Sequence, residues 1–100
     1  MMMSEIKALS PEIKRRVLKM QQNELTEYHI YTKVAGFVKN PDNKATLLKI
    51  ANEEHRHCQI WESFTKEKVQ PLQWKIWWYT LLSVIFGYTF ALKLMEGNEG

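Results

Sequence analysis

Residues 47–64 read LLKIANEEHRHCQIWESF, and the spacing inside this run decides the fold. Leu47, Ile50, Glu54, His57, Trp61 and Phe64 recur at steps of 3-4-3-4-3. Those steps keep residues on one face of an α-helix. The outer four are apolar and call for a core. The middle two are a carboxylate and an imidazole. A core face does not bury such groups bare, because an isolated buried charge is very costly. Glu and His three apart on an inward face are one way that helical bundles hold a transition metal. The plainer reading puts both at the edge of the face, in water.

An upstream run has the same pattern. Ile13, Val17, Met20, Glu24, Glu27, Tyr31, Val34 and Val38 repeat at 4-3-4-3-4-3-4, an apolar stripe with two acids at its centre. Ser10-Pro11-Glu12 starts this helix: Ser caps, Pro fits the first turn, and Glu favours the positive end. Asn40-Pro41-Asp42-Asn43 stops it near Lys39 and starts the next helix at Asp42 or Asn43, which runs to about Lys68. So short a turn predicts an antiparallel hairpin. Glu24 lies 17 residues before Pro41 and His57 lies 16 after it. At ~1.5 Å rise per residue the two are nearly level, with Glu54 about one turn away. Glu27 sits about 4.5 Å nearer the turn, roughly opposite Glu54, as an outer ligand or second metal site. Spacing alone does not choose between Glu24 and Glu27. His29 falls off the stripe, and Glu53, His55 and Arg56 fall on the outer face.

Val69-Gln70-Pro71 breaks the chain again. Residues 74–95 then read WKIWWYTLLSVIFGYTFALKLM, with no charge between Lys75 and Lys93. The 17 residues 76–92 just reach the lower limit for a membrane span. Thr80, Ser83, Gly87, Tyr88 and Thr89 inside the run favour instead a third, very apolar helix buried in a bundle or dimer interface. A Trp-rich patch that docks on a membrane or on a partner is the other reading of 74–95. The chain closes on KLMEGNEG, in which Glu96 and Glu99 form Glu-x-x-Glu and two glycines weaken the helix. Residues 1–9 read as a loose lead-in without the basic start and apolar core of a signal peptide.

Composition agrees with an all-α class in a single domain over 1–100. Apolar content is 45% and charged content 25%, enough to fold, and no window alternates as a strand would. Basic residues exceed acidic ones by 14 to 11, spread along the helices rather than gathered in a block, which does not argue for a nucleic-acid binder. The lone Cys58 forms no internal disulfide and suits a reducing, cytoplasmic setting, with membrane association through 74–95 as the alternative.

Taken in order, these motifs resemble the rubrerythrin branch of the ferritin-like superfamily. NELTEYHIYTKVA supplies Glu24, Tyr31 and Ala35; EEHRH supplies Glu54 and His57; IFGYTFALKLMEGNEG supplies Glu96 and Glu99. The likeness implies a ferritin-like bundle with a di-iron centre, in which Zn or Mn can substitute, and ferroxidase or peroxidase activity. It implies Glu24, Glu54, His57, Glu96 and Glu99 as the metal set and selects Glu24 over Glu27. The family's fourth helix has no counterpart here. Either the chain is a fragment, or two chains pair to complete a four-helix bundle, as in short encapsulated ferritins. A homodimer or larger assembly is therefore expected, with the third helix as a candidate interface. The competing expectation is a non-enzymatic helical interaction or membrane-associated module that keeps only a residual metal-binding face.

Overall fold

The computed structural model describes residues 10–97, so the lead-in over 1–9 and Glu99 lie outside the described residues. Four helices follow in order: α1 (Pro11–Ala35), α2 (Pro41–Thr65), α3 (Gln73–Phe86) and α4 (Tyr88–Gly97). No strand occurs among the described residues. The all-α expectation holds.

α1 starts as read from Ser10-Pro11, whereas α2 starts at Pro41, ahead of the expected Asp42 or Asn43, because Asn40 caps it. Ser10 Oγ accepts from Ile13 N–H at 3.2 Å, and Asn40 Oδ1 accepts from Asn43 N–H at 3.0 Å. Each cap is followed by a proline at the first helical position. The ends differ from the sequence reading. α1 stops at Ala35 rather than near Lys39, and its final carbonyls are closed by short bonds from Gly36, Phe37 and Val38. A Cβ on Gly36 would lie 3.1 Å from Lys33 O. α2 stops at Thr65 rather than near Lys68, with Lys66 in the left-handed region (φ 60°).

Buried polar side chains account for this second stop. Gln21 is fully buried; its Nε2 donates to Glu67 O at 2.8 Å and its Oε1 accepts from Thr65 Oγ1 at 2.9 Å. Thr26 Oγ1 accepts from Leu72 N–H at 3.0 Å. These bonds satisfy the polar backbone of the connection and lay it on α1. They also fix where α3 begins. α3 climbs beside α1, so Ile76, Tyr79 and Leu82 join Ile30, Tyr31, Val34 and Ala35 in the core, with Leu47 and Ala51 from α2.

The expected single helix over 74–95 is broken at Gly87, whose φ of 95° and ψ of 149° suit glycine and strain other residues. α3 closes its last turn through Gly87 N–H to Ser83 O (3.0 Å), and Ala91 N–H to Gly87 O (3.3 Å) opens α4. α4 adds Ala91, Leu92 and Met95 to the core. Among the described residues, no helix is long and apolar enough to cross a membrane.

The apolar stripes are rotated from their sequence-read positions. Ile13 and Met20 remain 47% and 45% exposed, because the 66–72 connection covers the first half of α1 through Gln21 and Gln22 instead. On α2 the buried line is Leu47, Ala51, Cys58 and Thr65. The small Ala51 and Cys58 face the core, leaving Glu54 half-buried and His57 at the rim.

Candidate metal centre

Two helices bring three ligand side chains together. Glu24 from α1 and Glu54 and His57 from α2 each offer a ligand atom, and the three atoms all lie within 4.8 Å of one another. This is the set read from the hairpin geometry. His57 Nδ1 stands 3.9 Å from Glu24 Oε1 and 3.8 Å from Glu54 Oε1. Both distances exceed the ~2.7–3.2 Å of an N–H···O hydrogen bond. Donor atoms sharing one metal at bonds of ~2.1 Å are roughly 3–4 Å apart, so this spread needs only a small side-chain contraction. The carboxylates are 20% and 19% exposed and the imidazole 51%. Glu24 and His57, with Ile60 and Trp61, line a hollow of about 270 Å³ open to solvent. The donor set of two carboxylates and one imidazole fits iron, manganese or zinc.

A second group gathers around Tyr31. Its hydroxyl donates to Glu96 Oε2 at 3.1 Å, which ties α4 to α1. Burial raises the phenol's pKa well above its usual value near 10, and the charges of Glu96, Glu27 and Glu54 raise it further. Glu27 and Glu96 therefore sit on the Tyr31 side, with Glu54 acting on both groups. Neither Glu27 nor Glu96 belongs to the three-ligand cluster. Glu99 lies outside the described residues.

The other candidates fall elsewhere. His29 is half-buried beside Tyr28 (ring centroids 5.0 Å), and burial, Lys33 and His55 lower its pKa. His55 is less solvated than its outer-face position suggested, because its ring lies 4.6 Å from that of Tyr28. Cys58 is buried, and burial followed by the charges of Glu62 and Glu24 pushes its thiol pKa up, so it remains a protonated core residue. Sequence reasoning missed Tyr31 as the partner of Glu96. The signal was weak, since it required the reversal at Gly87. No family model, curated protein or solved structure matches this chain.

Proposed function

We propose that this chain is an iron-binding carboxylate protein of the ferroxidase or peroxidase type, with Glu24, Glu54 and His57 as metal ligands. The observation that carries the reading is the position of His57 Nδ1, 3.9 and 3.8 Å from two carboxylate oxygens. That separation is long for hydrogen bonds and near the spacing of donors around a shared cation. Glu54 would hold the cation beside His57, and its charge also acts on the Tyr31 phenol. Glu27 and Glu96 supply further acid beside Tyr31, whose hydroxyl orients the Glu96 carboxylate. Bound iron would supply electron exchange with dioxygen or peroxide. The chain's own groups hold the cation, offset its charge and keep the Tyr31 phenol protonated.

The same proposal takes the bundle as ferritin-like and completed by a second copy. His57 is half exposed. Met20, one turn from Glu24, and Ile60, one turn from His57, are 45% and 47% exposed beside it. A second copy over this side would cover those apolar groups and add its own ligands.

Anaerobic ferrous titration followed by exposure to air tests the reading. Stoichiometric binding and a visible absorption band on oxidation are expected. Failure to bind ferrous iron, with no absorption change, would overturn it. Light scattering tests assembly: a metal-bound protein that stays monomeric rules out completion by a second copy.

A further inference from the structure

α3 is apolar on both sides, and only one side is covered. Ile76, Tyr79 and Leu82 face the core. Trp74, Trp77, Trp78, Leu81, Val84 and Ile85 form an unbroken outer stripe at helical spacing, each 47–64% exposed. At up to ~250 Å² per indole, the three Trp residues alone present roughly 400 Å² to solvent, near the largest apolar patch of an ordinary monomer. Two lysines lie against the indoles of this stripe. Lys33 Nζ lies 4.7 Å from the Trp77 ring centroid, and Lys75 Nζ lies 5.7 Å from that of Trp74. Residues 71–95 contain two lysines and no acid.

We propose that the outer face of α3 docks flat onto an anionic lipid surface. Indoles settle at the level of the headgroups, and lysines beside them reach anionic headgroups. At 14 residues, α3 is only about 21 Å long, too short to span the ~30 Å hydrocarbon core and suited to lying in the interface. A second copy fits this face less well. A two-fold pairing with the two α3 helices parallel would set Lys33 and Lys75 of each copy near those of the other, and an antiparallel one would seat them against the uncharged residues 81–86 of the partner, so neither answers their charge within α3.

The full chain in metal-free buffer, mixed with phosphatidylcholine vesicles with and without phosphatidylglycerol, tests the proposal. Cosedimentation with the anionic vesicles and quenching of Trp fluorescence by brominated acyl chains are expected, with little of either on the neutral vesicles. The double change Lys33→Glu/Lys75→Glu should weaken binding by about thirtyfold or more. The control Lys44→Glu/Lys49→Glu makes the same change in net charge at exposed positions on α2 and should alter binding less than about twofold. Trp74→Gln/Trp77→Gln should reduce both binding and quenching while the helical circular dichroism is kept. Three results would each overturn the proposal: no quenching on anionic vesicles, equal loss from the two lysine pairs, or lipid-free self-association that shields the same tryptophans.

Discussion

The Tyr31 hydroxyl donates to Glu96 Oε2 at 3.1 Å, across 65 residues of chain. This bond joins the C-terminal part of α1 to the last turn of α4. It places a carboxylate beside a phenol whose pKa is already raised by burial, so the phenol keeps its proton and remains a donor.

Tyr31→Phe removes that donor and keeps the ring. Glu96 is largely solvated, so the expected cost is about 1 kcal/mol, or roughly 4–8 °C in melting temperature. Amide exchange in α4 should speed up more than in α2. The pH dependence has a definite sign. A group whose folded pKa is raised stabilises fully below its unfolded value, and that stability is lost as pH climbs above it. The wild-type advantage over Tyr31→Phe should therefore be constant up to about pH 10 and shrink above it. Thermal melts of both proteins between neutral and strongly alkaline pH check this, and an advantage that grows with pH would contradict it.

Gly87→Ala tests the break between α3 and α4. The position has open space for a Cβ, so any penalty comes from the backbone at φ 95°. A cost of about 1–3 kcal/mol is expected if the break is kept. Straightening the helix would avoid that cost and carry Glu96 away from Tyr31. In that event Gly87→Ala and Tyr31→Phe should not be additive, which a double-mutant melt measures directly.

The hairpin was legible because its signals are local. Ser10-Pro11 marks a helix start, Asn40-Pro41-Asp42-Asn43 marks the turn, and the distances of Glu24 and His57 from Pro41 place them near one level, with Glu54 one turn away. The depth of burial was not legible. His57 shares the apolar period of Leu47 and Trp61, yet close approach occurs over the smaller Ala51 and Cys58, leaving the imidazole at the rim. Periodicity counts apolar positions and does not weigh their size. Glu96 was legible as a candidate but not as the partner of Tyr31, since that contact needs the chain to reverse at Gly87. A glycine inside an apolar run gives no sign of whether it will be a helical residue or a break.

Metal should stabilise the fold by mass action, since the ligands converge only in the native state. Two half-buried carboxylates side by side also repel until a cation lies between them. Ferrous iron, or zinc as a redox-silent substitute, should add about 2.7 kcal/mol at a hundredfold excess over Kd. His57→Ala should remove most of that gain. His29→Ala should leave it nearly intact, because His29 packs on Tyr28 away from the cluster. Differential scanning calorimetry with and without zinc reads both variants. Equal losses would mean that the cation binds elsewhere.

The sharpest test sets Glu24 against Glu27, which spacing alone did not separate. Glu24 joins Glu54 and His57 within 4.8 Å, whereas Glu27 acts on Tyr31. Glutamine keeps the shape of either side chain and removes the anionic ligand. Glu24→Gln should therefore abolish iron oxidation, since it leaves one carboxylate and one imidazole at the proposed centre. Glu27→Gln should keep measurable activity and mainly change metal affinity, because Glu27 supplies charge from the neighbouring turn. Both variants should fold, as neither side chain is fully buried, and circular dichroism checks that. Ferrous oxidation rates and metal Kd values for the pair then decide. A dead Glu27→Gln beside a native-rate Glu24→Gln would move the ligand set one turn along α1, to the side where Tyr31 and Glu96 meet.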